Sequence, residues 1–203
     1  MAKKTSNNNN RARKVLAQEA ARIIIEHGIA NYHVAKIKAA ERMSMTDRGS
    51  LPSNLEIEGA ISERLKFFDH EAHLDLLRVL RKAALSAMEL LTLFTPRLVG
   101  PVLHGTAAAN SAVNLHVFSD SAELVALRLQ KNNLKYQLYE RRLKSHRDRT
   151  ETFSGFRFTP NNSSIEATVF PINGMRQAPI SSIDGKPMRR ANFQAVRKLL
   201  KGT

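Results

Sequence analysis

Apolar positions along this chain follow two different periods. Over the first half they recur at three and four residues, and over the second half they fall into short β-type runs separated by turn residues. From Val15 to His27, Val15, Leu16, Ala20, Ile23 and Ile24 with the small Ala17 and Ala21 predict a helix that Gly28 stops. A second helix is expected from about His33 to Met43, with Val34, Ile37, Ala39 and Ala40 as its buried stripe. Residues 46–52, with Gly49 and Pro52, read as a loop. Ser53 and Glu56 have the spacing of a capping box and open a third helix through about Phe68. The longest helix is expected from about His70 to Phe94, with Leu74, Leu77, Leu80, Ala84, Met88 and Leu91 on one side and Pro96 ending it.

Beyond Pro96, strands are expected at Leu98–Leu103, Val113–Phe118, Lys135–Leu143, Phe153–Phe158 and Ile165–Phe170. A helix over Ser121–Lys131, capped by Ser119 or Asp120, lies between the second and third. Pro171–Arg190 reads as a loop and Ala191–Lys201 as a closing helix. The fold class is therefore α+β: a basic arm without fixed structure (1–12), a helical region (13–95), and a small mixed-sheet domain (96–203).

Composition narrows the chemistry. Among 203 residues there is no Cys, which excludes disulfides and Cys-ligated zinc or iron–sulfur centres and fits a reducing, cytoplasmic setting. The apolar-leaning stretch Ala83–Phe94 contains Glu89 and falls short of the ~20 residues of a membrane span, and the opening residues lack the apolar core of a secretory signal. No membrane partner is expected. The net charge is +14. It is uneven: ten basic and four acidic residues in 1–50, five and seven in 51–95, nine and four in 96–150, eight and three in 151–203. Such a balance suits a nucleic acid, nucleotide phosphates or another acidic partner, and equally a solvated surface.

The candidate site lies on the strands. A strand ending in Gly105-Thr106 and turning back into the next strand would aim amides and a hydroxyl at a phosphate. Asn114 and His116, two apart on the following strand, share a face, and Glu166 brings a carboxylate to that face from a later strand. In the late loop, Arg176, Lys186, Arg189 and Arg190 face only one acid, Asp184, within fifteen residues. That segment presents guanidinium groups to phosphate, or is a connector turning at Asp184-Gly185. His104 and His116 are candidates for function or for structural hydrogen bonds, whereas His70 and His73, three apart on a helix, do not by themselves make a metal site. No Ser-His-Asp or Cys-His system, Walker loop or dinucleotide fingerprint is present.

This layout resembles the nucleotidyltransferase superfamily over residues 96–170, with a degenerate active-site motif. Gly105 and Thr106 match the glycine turn, Asn114 and His116 stand where paired carboxylates belong, and Glu166 matches the third carboxylate. The resemblance implies a nucleotidyltransferase-type fold, a nucleotide partner and Mg2+ held by Glu166, with Asn114 and His116 contacting the nucleotide or replacing the lost ligands. Two of the three metal carboxylates are missing, and a neutral imidazole is a poor ligand for a hard, octahedral cation. The whole chain also resembles a bacterial family of nucleotidyltransferase-like proteins, through Leu98-Val-Gly-Pro-Val-Leu-His-Gly-Thr-Ala and the late Arg176-Gln-Ala-Pro.

A competing class comes from the N-terminal helices. Val15–Gly28 and His33–Met43 resemble the opening of a helix-turn-helix protein, with Lys36, Lys38 and Arg42 toward DNA or RNA phosphates. The second helix lacks Asn, Gln or Arg at its start for reading bases, which favours a helical bundle packed on the sheet.

Overall fold

A computed structural model describes residues 2–29, 31–45, 51–67, 70–145 and 149–202, with residues 2–8 described by their helical backbone. No Gly or Pro interrupts the chain before Gly28, and helix α1 runs unbroken over Ala2–His27, taking in most of the expected arm. Helix α2 covers Tyr32–Arg42, α3 Asn54–Phe67 and α4 His70–Leu90. The expected loop residues Thr46–Ser50, and the expected helix end at Phe68, lie outside the described residues.

Contacts divide the chain into two compact units. One is residues 1–73 with 108–110 and 182–184; the other is 74–107, 111–181 and 185–203. The division thus falls inside α4, not at 95/96.

In the first unit α1 packs against both α2 and α3. Its core is largely alanine: Ala17, Ala20 and Ala21 with Ala35, Ala39 and Ala40, closed by Leu16, Ile23, Ile57 and Ile61. Of the stripe expected on α2, Ala39 and Ala40 are buried, and the other two positions are corrected. Val34 and Ile37 remain 38% and 37% exposed, because the alanine face, which lets helices approach closely, turns inward instead. The capping box forms as expected: the Glu56 amide donates to Ser53 Oγ at 3.1 Å and the Ser53 amide to Glu56 Oε2 at 2.6 Å. These bonds hold the Glu56 carboxyl below its ordinary pKa. Arg42, a candidate phosphate contact, pairs with Glu19, and Glu56 faces Lys36, which burial pulls below its ordinary pKa.

The second unit is a five-stranded sheet with helices. Strands β1 Arg97–Val99, β2 Val113–Phe118, β3 Tyr136–Lys144, β4 Thr150–Phe158 and β5 Ile165–Phe170 lie in the order β1-β2-β5-β4-β3. β2 and β5 are parallel, and the other neighbours are antiparallel. Alternation decides the faces. Val113, Leu115 and Val117 of β2, Ile165, Ala167 and Val169 of β5, and Phe156 and Phe158 of β4 share one core with Leu77, Leu80, Ala84 and Met88 of α4. Helices α6 (Ala122–Lys131) and α7 (Phe193–Lys201) add Val125, Leu129 and Val196 to it. The other members of each strand, Asn114, His116, Glu166, Thr168, Arg157 and Tyr139 among them, therefore share the opposite face.

Several details differ from expectation: the helix expected to Phe94 ends at Leu90, the strand expected from Phe153 starts at Thr150, and three further differences have local causes. The strand expected over Leu98–Leu103 ends at Val99, because Gly100 at φ +72 and Pro101 turn the chain into a single helical turn, α5, over Pro101–His104. Asp120 does not cap α6; its Oδ1 accepts the Ile172 amide just after β5, and Ser121 is the N-cap. The long loop after β5 contains a 3₁₀ turn at Ile172–Met175 and makes isolated bridges, Ile180 to Lys144 and to Pro187, and Ala191 to Leu98. Among the described residues, no helix is long and apolar enough to cross a membrane.

Replacing Ser53 by Ala removes the cap of α3 and is expected to lower the unfolding free energy by about 1 kcal/mol in a urea titration. An unchanged midpoint would show that α3 does not depend on the box.

Candidate functional site

The face of the sheet opposite the core brings Asn114 and Glu166 directly together, since they are register partners on the parallel strands β2 and β5. The next strand places Arg157 opposite Glu166, and β3 supplies Arg141 and Tyr139. Glu166, whose side chain is 11% exposed, is engaged on both oxygens: Arg157 donates from Nε at 2.9 Å and Nη2 at 2.7 Å to Oε1, and Arg141 Nη2 donates to Oε2. Arg141 Nη1 donates to Asn114 Oδ1 at 3.1 Å. The planar guanidinium fork suits this two-point grip, which a lysine could not reproduce.

Tyr139 is the floor of the arrangement. Its ring lies across β4 to β5, where its hydroxyl meets Thr168 Oγ1 at 2.8 Å. This path exists because Gly155 stands between them; a Cβ there would lie 2.3 Å from the Tyr139 ring. The guanidinium carbons of Arg141 and Arg157 sit 5.4 and 5.9 Å from the ring centroid, within cation–π range. Burial pushes the Tyr139 hydroxyl above its ordinary pKa, so it remains a neutral hydrogen-bonding group.

His116, one register step along β2, is buried and reads as a neutral acceptor. Its Nδ1 takes a hydrogen bond from Arg190 Nε at 3.0 Å, and its ring packs on Phe170 at 4.4 Å. Burial, then the nearby Arg190 and Arg141 charges, hold its pKa well below the ordinary value. Arg190 itself lies 5.0 Å from the rings of both Phe118 and Phe170 and donates through Nη1 to the carbonyls of Gly174 and Met175. Burial, reinforced by Arg97, pulls its pKa down to about 10.

Gly105 and Thr106 depart from the expected phosphate turn. Gly105, at φ +81, closes α5, and both amides donate to the Pro101 carbonyl, at 2.8 and 3.0 Å. They serve the helix end, so their N–H groups are not aimed at a ligand. Of the late-loop cations, Arg190 alone contacts His116; Arg176, Lys186 and Arg189 are exposed. His104 is the last residue of α5 and exposed. Arg141 and Arg157 are the residues that sequence reasoning missed. Their signal was the alternation of β3 and β4, which sets both on the face of Glu166.

The donor set does not fit a magnesium ion. Both Glu166 oxygens already accept from guanidinium groups, its neighbours are an amide and a neutral imidazole, and two cations adjoin it. Among the described residues no group of three His, Asp or Glu side chains could hold a metal. Comparison of the chain with protein-family models, curated proteins and solved structures yields no match. The groups that the site presents are paired, partly exposed guanidinium forks beside an aromatic ring.

Two outcomes are expected. Gly155→Ala forces the Tyr139 ring from its place and costs about 1–3 kcal/mol in chemical unfolding, as overpacking does; full stability would contradict the close approach. Because the folded His116 resists protonation, the unfolded chain takes up the proton first, and stability falls as pH drops below 6.5, by up to about 1.4 kcal/mol per pH unit. His116→Gln keeps an acceptor for Arg190 without titrating, and the slope of unfolding free energy between pH 6.5 and 5 should decrease. An unchanged slope would assign the acid sensitivity elsewhere.

Proposed function

We propose that the protein binds the phosphate of a nucleotide or nucleic acid on the Arg141–Arg157–Tyr139 face of its sheet, as a nucleotidyltransferase-like domain that recognises and does not transfer. The observation that carries this is the clamp on Glu166. Around Glu166, which the superfamily resemblance matches to a metal carboxylate, the chain holds two guanidinium groups side by side. One carboxylate fixes both, leaving one positive charge in excess and the outer N–H groups of half-exposed side chains for an incoming anion. Orienting the forks in advance lowers the entropy cost of gripping a phosphate.

Tyr139 supports the same reading, since an aromatic face beside arginines suits a nucleotide or a single strand. The net charge of +14 steers such a ligand from a distance. Nucleotidyl transfer needs oxygen ligands for divalent metal, and the clamp takes them away. The alternative use of the N-terminal helices is weakened by the pairing of Arg42 with Glu19.

The test is fluorescence anisotropy with a labelled short oligonucleotide, in competition with nucleoside triphosphates. Arg157→Ala, at a half-exposed position, should weaken binding by about tenfold or more, as loss of a charge-assisted hydrogen bond does. Affinity should also fall linearly with salt on logarithmic axes, with a shallower slope in the variant. Equal affinities and slopes for both proteins would remove the sheet face from the reading.

A further inference from the structure

We propose that the outer edge of β3 is a docking strand for an extended acidic segment of another protein, which adds to the sheet in antiparallel sense. β3 is the terminal strand of the sheet, with β4 as its neighbour on one side only. The backbone shows which of its groups point outward. Ser145 donates its amide to the Arg149 carbonyl on the β4 side, whereas the Lys144 carbonyl accepts the Ile180 amide at 2.8 Å from the other side. Backbone groups alternate along a strand, so Tyr136, Leu138, Glu140 and Arg142 turn their N–H and C=O groups away from β4. Among the described residues, no backbone hydrogen bond reaches these outward groups.

Edges of this kind are ordinarily blunted by shortness, a Pro or a bulge. β3 has none of these: it pairs with β4 one residue to one over nine positions, and Leu138 is 72% exposed. At its last position the chain already adds to the edge, where Ile180 bridges Lys144 in antiparallel sense. The remaining row of donors and acceptors is a template for a strand running the same way.

Charge selects the partner. Between Lys135 and Lys144 stand four cations, Lys135, Arg141, Arg142 and Lys144, against one acid, Glu140. Arg142 and Leu138 share a face on either side of Glu140, so a matching segment carries an acid opposite Arg142, a hydroxyl opposite Glu140 and an apolar residue opposite Leu138. A second copy of the chain fits less well. In a two-fold antiparallel pairing, odd positions face odd and even face even. The longest overlaps then centre on Tyr139, which sets Leu138 against Glu140, or on Glu140, which sets that carboxylate against its own copy. The docking strand does not rest on the proposed function of the Glu166 clamp.

Fluorescence anisotropy of the full chain with the labelled peptide Glu-Glu-Thr-Thr-Val-Val-Thr-Val tests it, beside a peptide with Lys in place of both Glu. Saturable binding of the acidic peptide alone is expected. Arg142→Glu should weaken it about fivefold or more and transfer the preference to the Lys peptide. Leu138→Pro removes one outward donor without touching the ladder to β4, and should abolish binding while the unfolding midpoint shows that the variant folds. Hydrogen exchange reads the same edge without any variant: the Leu138, Glu140 and Arg142 amides should slow at least about tenfold when the peptide is bound. Absence of saturable binding, equal binding of the two peptides, unchanged exchange at these amides, or a dimer in ultracentrifugation that Leu138→Pro dissociates would each overturn the proposal.

Discussion

The ion pairing of one nearly buried carboxylate organises the open face of this protein's sheet. Glu166 sits on β5, next to the parallel strand β2, with side-chain exposure of only 11%. A carboxylate so placed is tolerable only if its charge and lone pairs are met. Arg157 from the adjoining strand and Arg141 from the strand beyond meet both oxygens, so one side chain ties three strands together. The remaining features follow from that demand. Asn114 takes the spare Arg141 donor, Tyr139 lies beneath both guanidinium groups, and Gly155 leaves the gap the ring requires. The interactions that satisfy Glu166 also leave an excess of positive charge pointing outward.

Much of the fold could be seen in the residue pattern. Four strands and helices α2, α3 and α4 fall close to their expected spans, because alternation at two and at 3.6 is imposed by burying one face. The pattern failed where a local residue outweighed periodicity. Leu98 to Leu103 reads as an apolar strand, yet Gly100 and Pro101 break it into a turn of helix. Val34 and Ile37 are more hydrophobic than Ala35 and Ala39, yet close helix packing selects the smaller face. The arm appeared structureless because it is polar, and polarity alone does not prevent a helix that lacks Gly and Pro.

The site was legible in part. Strand alternation put Asn114, His116 and Glu166 on one face, and the register confirms that Asn114 and Glu166 are neighbours. It could not reveal pairing partners. Which strand lies beside β5 depends on topology, and the sequence does not show that β4 and β3 stack outward from it to deliver Arg157 and Arg141. The Gly105-Thr106 turn misled for the same reason as the strand before it, since its amides close α5. His116, a candidate ligand for a nucleotide, accepts a hydrogen bond from Arg190 and orients it. A pair of arginines fixed by a carboxylate, and the single Arg190 fixed by a histidine and two carbonyls, are thus held in set orientations.

The most direct measurement follows the arginine side-chain Nε–H resonances of Arg141 and Arg157 by NMR while a nucleoside triphosphate is added without divalent metal, and then while Mg2+ is added alone. If Glu166 is an arginine anchor, the nucleotide shifts both resonances in the absence of metal, and Mg2+ alone leaves them in place. If Mg2+ alone releases the two guanidinium groups, and the nucleotide acts only after it, Glu166 is a metal ligand and the account is wrong.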